Sequence, residues 1–417
     1  MSVDTGIRRV TAMESVWKRR VLAFALFSAF LTTVAPCGAQ RQARDSAGVR
    51  LLRYDLNATV PVWTVDPAPL LEIGGADGSG PTEFARILGV RRLSSGRVAV
   101  ANGAGNEIRL FDPQGKFLSA LGRAGQGPGE FQRLSRLYAV ADTLIGTDQT
   151  QAAQVFSPDG KLIRSLPRPV LPNLALYGDR LGFLPDGRSV MMAMSALDSA
   201  PAGRSRRTAK LVLVPGSDSS FDALGDFPVF ELHRQGTAMP TPVWFGPFAR
   251  VAVTPATICV GYSQNYHIDC FGHRGNLISR VERATRPRAV TEGDRKFVTE
   301  RALRDAKAAP KEIRAKLEDM IRLYQYSDRV PAFGAFLAAS TGELWVKEFE
   351  RSDAFAESSK GGDAALRWSV FSPRGDWVAD VLLPAHFSPL DVGRDYVAGV
   401  SFDADDVERV TVLRLRR

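Results

Sequence analysis

Cysteine and histidine are both scarce in this sequence, with three and four in 417 residues. Three sulfurs are too few for a disulfide-stapled scaffold. The chain contains no Gly-x-Ser-x-Gly, His-Glu-x-x-His, P-loop, EF-hand loop or Cys-x-x-Cys. The signatures of serine hydrolases, zinc proteases, nucleotide hydrolases, calcium sensors and thiol redox enzymes are therefore missing. Long hydrophobic runs are lacking too: the apolar stretch VLAFALFSAFLTTVA at 21 to 35 has 15 residues, where a spanning helix needs about 20. A polytopic membrane protein is excluded. What is present is globular in character: 45% hydrophobic and 24% charged residues, 37 Gly, 25 Pro and a formal charge of +9. That length suits two average domains or one large β or α/β domain.

The apolar stretch follows Lys18-Arg19-Arg20 and precedes Pro36-Cys37-Gly38-Ala39. This is the three-part build of a secretory signal, with small residues at Cys37 and Ala39 before a cut at Gln40. Residues 1–39 are read as a signal peptide, Met13 being a second candidate start. An alternative is a lipoprotein acylated at Cys37, to which Pro36 is a poor neighbour. Without the leader the charge falls to +6, and Cys259 and Cys270 are the only cysteines left. An exported protein, periplasmic or secreted, lives where disulfides persist.

Internal similarity is the strongest signal in the chain. PLLEIGGADGSGPTEFARILGV (69–90) resembles KFLSALGRAGQGPGEFQRLSRL (116–137), and both carry Gly-Pro-x-Glu-Phe. An aromatic followed by a tight turn recurs at Phe111-Asp-Pro-Gln-Gly115, Phe156-Ser-Pro-Asp-Gly160, Phe271-Gly-His-Arg-Gly275 and Phe371-Ser-Pro-Arg-Gly375. Three of the four follow the type I pattern, with Asp or Ser first, Pro second and Gly fourth. Alternating strands such as Glu107–Phe111 and Lys116–Leu121 flank each turn. Phe111 to Phe156 is 45 residues, the length of a four-stranded propeller blade. Spacings of 115 and 100 to the next two aromatics leave room for six units in all. The last unit ends after its third strand, and Leu70–Ile73 is an orphan strand that pairs into it and removes the open edge.

These residues resemble a family of exported bacterial six-bladed β-propellers related to NHL-repeat propellers. The resemblance covers about residues 66–417, with 40–65 as an N-terminal lead-in. It implies an all-β fold closed by an N-terminal strand, and it leaves activity open, because propellers host binding proteins, lyases and lactonases alike.

Within that frame the long insertions lie on one face. They are Ser195–Thr208, Asp226–Phe248, Arg351–Ala365 and, largest, 286–332, which reads as a helical hairpin between the fourth and fifth blades. Thr291 with Asp294 is its capping signal, Pro310 opens the second helix, and Ile313, Leu317, Met320, Ile321 and Tyr324 form a helical stripe. The stripe packs the hairpin onto the propeller, from where it would lid the channel mouth. Residues 285–332 carry 12 basic and 8 acidic groups, and Arg204, Arg206 and Arg207 add to that rim, so an anionic ligand or partner is expected there. Tyr262, Asn265 and His267 sit beside a connection on the same face and complete the ligand-binding candidates with Asn102 and Asp148. Resemblance to propeller lactonases and lyases implies the alternative, a divalent metal such as calcium held by Asn102, Asp148 and Asn265. Glu83 and Glu130, in identical motifs, are expected to brace their loops. Cys259 and Cys270 flank the Gln264-Asn265 turn symmetrically, as a cross-strand disulfide requires, the other reading being two buried thiols. Nucleic acid, a membrane span in the mature chain and a resident cofactor are not expected, and the protein is read as a monomer. The expected function is non-catalytic ligand or partner binding on the long-loop face, the alternative a channel-mouth lyase or lactonase.

Overall fold

The computed structural model describes residues 41–76, 78–171, 175–176, 180–194, 201–216, 220–236, 239–355 and 364–417. The signal-peptide reading of 1–39 lies outside them, as do parts of three expected loops, 195–200, 237–238 and 356–363.

Strands dominate because the chain alternates apolar and polar residues between tight turns. At the first turn, the Asp112 carboxylate accepts from the amides of Gln114 and Lys116 at 3.0 and 2.8 Å. Ser157 and Ser372 do the same through their hydroxyls, to Lys161 and Asp376. Gly115, Gly160, Gly275 and Gly375 all have φ between 83° and 91°, which residues with a Cβ adopt at a cost. The preceding aromatic sits at a register shift in each pair, as at Phe111↔Phe117.

Five sheets result. The first runs Ile87–Arg92, Val98–Asn102, Glu107–Phe111, Phe117–Leu121, and the second Leu134–Val140, Thr143–Asp148, Ala153–Phe156, Leu162–Leu166; each is a simple antiparallel meander. The third is built on Gly182–Phe183, Ser189–Met194, Gly203–Val214 and Asp222–Arg234, and the fourth on Ala249–Val253, Ile258–Tyr262, Tyr266–Phe271 and Leu277–Arg283. The fifth, of eight strands, joins two meanders edge to edge through Val62–Gly74. One is Phe336–Ala338 to Trp377–Leu383; the other is Phe387–Val392, Tyr396–Phe402 and Glu408–Arg416.

Hydrophobic layers join these units in a cycle. Val98, Val100 and Phe111 of the first sheet pack on Ala398, Val400 and Val412 of the chain's end. Ile108 and Leu110 pack on Leu134 and Leu144 of the second sheet, Val155 on Phe183 of the third, and Leu211 on Ile258 and Val260 of the fourth. Cys259 and Ile268 meet Phe333 and Phe371, and Trp345 and Val381 meet Val392 and Leu413. Each sheet thus buries both faces, which explains the nearly continuous burial of inner strands such as Val98–Asn102.

The N-terminal segment does more than lead in. Arg41–Ser46 and Val49–Tyr54 form a hairpin whose second strand pairs parallel with Leu277–Arg283, Leu52 opposite Val281. The Tyr54 hydroxyl accepts from the Trp377 amide at 2.8 Å, and its ring meets the Trp377 ring edge-on. The chain then pairs Val62 and Trp63 in parallel with Asp380 and Val381. It finally runs antiparallel to Glu408–Arg416, with Ile73 opposite Val410 and Leu71 opposite Val412.

Two of the expected long loops are largely strand. Residues 203–214 and 222–234 form a long two-stranded arm that extends the third sheet beyond its meander. The arginine-rich 204–208 looks like loop by composition, but its alternation turns Arg207 inward, opposite Phe230, while Arg204 and Arg206 face out. Thr241–Trp244 continues the arm, and Gln325–Tyr326 joins it in parallel.

Two helices, α1 Glu292–Ala308 and α2 Lys311–Arg322, follow the fourth sheet in the chain. Thr291 caps α1 reciprocally with Asp294, and Pro310 precedes α2. Of the apolar stripe, Ile321 is buried and Ile313 remains 45% exposed. Val298, Phe297 and Tyr324 pack instead on Trp244, Phe245, Phe349 and Phe355. Asp294, fully buried, accepts from Arg288 and Arg351 and from the Thr291 amide and hydroxyl. Burial works against its charge, but the Arg288 and Thr291 hydrogen bonds outweigh burial and hold the carboxyl well below the usual carboxylate range. Its stabilisation is therefore present above the unfolded-chain value of about 4 and is lost as the pH falls below it. Asp294→Ala should cost about 2 kcal/mol at neutral pH, its arginine partners being half exposed. Urea titrations at pH 7 and pH 3 would show the difference between variant and parent shrink in acid.

Candidate functional site

Cavities of about 260 Å³ open at two places among the described residues. The first is the central channel. Its wall comes from the inner strands of four meanders, at Gly89 and Arg91, Arg136 and Tyr138, Phe336, and Ser388 to Leu390. Lys347, at the end of Leu344–Lys347, and Asp353, in the connection that follows, also contribute. Lys347 Nζ is buried and bonds Asp353 at 2.8 Å and Glu350 at 3.3 Å. Arg91 donates to the carbonyls of Val90 and Leu390. Trp368 also borders the cavity, and its buried indole N–H has no hydrogen-bond partner among the described residues. Three basic residues and one carboxylate, Asp353, line the cavity, and with Glu350 beside Lys347 the wall is still net positive, by one charge.

The second cavity is a seam between the arm of the third sheet and the turn of the fourth. Phe227 and Pro228 line one side, and Tyr262, Gln264, Asn265, His267 and Asp269 the other. Arg206 sits over the Tyr262 ring at 5.3 Å and donates to Gln264 Oε1 at 3.0 Å. Arg204 and Arg206 both pair with Glu231. Burial, reinforced by Glu231 and opposed by Arg206, pushes the Tyr262 phenol up to about 12. Asp269 takes a bidentate bond from Arg280 at 2.7 and 2.9 Å and lies 3.2 Å from His267 Nε2. Burial raises its pKa, but His267 and Arg280 outweigh burial and leave it below its ordinary value. The turn is held at its base: Cys259 lies opposite Cys270, with Cα atoms 4.0 Å apart and the sulfurs bonded. At its tip, Ser263 exchanges bonds with Phe248 and its carbonyl accepts from Ala332.

The structure gathers Arg204, Arg206, Tyr262, Asn265 and His267 at this seam and leaves the other candidates elsewhere. Arg207 is buried within the arm. Asn102 Oδ1 accepts from the Ala85 amide. Asp148 accepts from the Gln132 and Thr150 amides and from the Thr150 hydroxyl. Both are buried braces of connecting loops, for the same reason that Asp is favoured in turns. They line neither cavity, whereas Asn265 lines the second. Among the described residues no group of three or more His, Cys, Asp or Glu side chains is gathered as a metal ion would need. Glu130 braces its loop through the Gly127 amide and Arg123; Glu83 in the matching motif is exposed. The helical hairpin contributes no lining residue to either cavity, because its apolar residues are spent on Trp244, Phe245 and Phe355.

Arg91, Arg136, Lys347, Asp353 and Glu231 escaped notice in the sequence. A signal existed for the first two: each is a charged residue in the innermost strand of a repeat, where inward positions are otherwise apolar.

In overall fold the chain is similar to a DUF4221-family protein from Bacteroides vulgatus, with TM-score 0.51 at 7% identity, covering 85% of this chain and 98% of that one. A Bacteroides fragilis protein described as exported gives TM-score 0.46 at 13% identity, covering 88% and 99%. BamB from Moraxella catarrhalis gives 0.33 at 10%, covering 85% and 99%. The sequence matches no family model and no curated protein. Four-stranded meanders packed face to face in a cycle around a channel define the chain as a β-propeller. That fold hosts many activities and assigns none. No helix among the described residues is long and apolar enough to cross a membrane.

Proposed function

We propose that the protein is an exported six-bladed propeller that binds a small anionic ligand in its channel and performs no chemistry. The six blades are the two isolated meanders, the cores of the third and fourth sheets, and the two halves of the eight-stranded sheet. The last is completed by Val62–Gly74, and residues 286–332 form an insertion between blades four and five. Residues 1–39 act as the signal that directs the chain to the periplasm or beyond.

The observation that carries the reading is the channel wall, where Arg91, Arg136 and Lys347 meet one lining carboxylate. A concave site with low-dielectric walls and an excess of one charge concentrates the opposite ion. The cavity volume suits a compact carboxylate or phosphate.

Calorimetric titration with inorganic phosphate, citrate and glucuronate should show saturable binding of at least one. Arg91→Ala and Arg136→Ala should each weaken it about tenfold, as loss of one charge-assisted contact does. Absence of binding by all three, or binding indifferent to both substitutions, would refute the channel site.

A further inference from the structure

The seam between the third and fourth sheets lies apart from the channel and has a different chemistry. Its charges are largely paired: Arg204 and Arg206 share Glu231, and Arg280 pairs with Asp269, which leaves a single positive charge in excess. Its floor is aromatic, from Phe227 and Tyr262. Its rim offers planar donors and acceptors side by side. Gln264, which lines the cavity, has its Oε1 taken by Arg206 and keeps an amide donor group. Asn265 follows it at the exposed turn tip with a donor and an acceptor on one group. Asp269 uses three of the roughly four acceptor sites of a carboxylate on His267 and Arg280, leaving one.

We propose that this seam binds a neutral sugar ring. An aromatic face accepts the C–H side of such a ring. Adjacent hydroxyls, each both donor and acceptor, need alternating donors and acceptors at fixed spacing, which the Gln264, Asn265 and Asp269 rim supplies. An anion gains less here than in the channel, because Arg204 and Arg206 are both bound to Glu231 and Arg280 to Asp269, and an apolar ligand would strand the rim. The site is also preorganised: Arg206 ties the turn tip to the arm, the Cys259–Cys270 bond ties the two strands beneath it, and Ser263 fixes its flank. Affinity is therefore not spent on ordering a loop.

Saturation-transfer NMR on the mature protein with methyl glucoside, methyl galactoside and N-acetylglucosamine should show at least one bound, its ring protons closest to the protein. Tyr262→Ala should weaken binding about tenfold and Asn265→Ala about fivefold, whereas Tyr262→Phe, which keeps the ring, should stay within about twofold. Near-UV circular dichroism identifies any Tyr262→Ala loss due to unfolding. Asn265→Ala, at an exposed turn tip, then carries the test. Citrate should not displace the sugar, which separates this site from the channel. The proposal is overturned if none of the three sugars binds, if binding ignores both Tyr262→Ala and Asn265→Ala, or if citrate competes.

Discussion

A chain that begins at residue 76 should lose cooperative unfolding altogether, although it keeps 26 of the 29 strands of the described residues. Val62–Gly74 supplies the outermost strand of the last blade, with register from Ile73↔Val410 to Thr64↔Arg416. Ile73 is buried between that blade and the first, and Trp63 and Val65 pack against the neighbouring layer. Removing the strand exposes the whole edge of Glu408–Arg416 and opens both layers at the point where the ring closes. A milder cut, to begin at Pro61, keeps this strand but removes the hairpin over the fourth sheet. Leu52 and Tyr54 are nearly fully buried there, and losing two such anchors should cost roughly 4 kcal/mol or more. That variant should still unfold in one transition, at lower denaturant. Urea melts of both truncations, followed by tryptophan fluorescence, test the pair of expectations. A chain from residue 76 that melts like the parent would show that ring closure contributes nothing to stability.

Phe131→Ala should be among the most damaging single substitutions, costing about 3–5 kcal/mol. Phe131 is the last residue of the second Gly-Pro-x-Glu-Phe motif and is 1% exposed. Its ring fills the space beside Gly122 and Gly146, where an added Cβ would have no room. Gly122 itself has φ 80°, so Gly122→Ala combines strain with a clash and should be damaging too. The first copy of the motif behaves differently. Phe84 packs in the same way on Gly74, φ 87°, but only partly buried, with the Arg109 guanidinium over its ring. Phe84→Ala should therefore cost about 1–2 kcal/mol, in proportion to the smaller area it covers. Equal losses at the two positions, measured by chemical denaturation, would contradict the packing argument.

Local chemistry was legible in the residues. Asp112, Ser157 and Ser372 set their turns through their own side chains, Thr291 and Asp294 cap one another within four residues, and the two Gly-Pro-x-Glu-Phe copies place Phe84 and Phe131 alike. The closing strand was legible as well, because an unfinished last repeat and an orphan first strand complement each other. Composition misled at 204–208, where charge suggested a loop and alternation had already specified a strand. It misled again at Asn102 and Asp148, whose polar side chains serve the backbone of their own neighbourhoods.

The sequence alone determined the repeating unit, its turns and its direction of closure, since each depends on interactions between residues close in the chain or on the arithmetic of the period. Only the tertiary structure decided what the repeats bring together. Arg91 and Arg136 come to share one channel wall, Arg206 reaches Gln264 from 58 residues away, and the N-terminal hairpin lands on the fourth sheet. These contacts depend on how each blade rotates against the next, a relation set by packing of whole faces and written in no short stretch of residues.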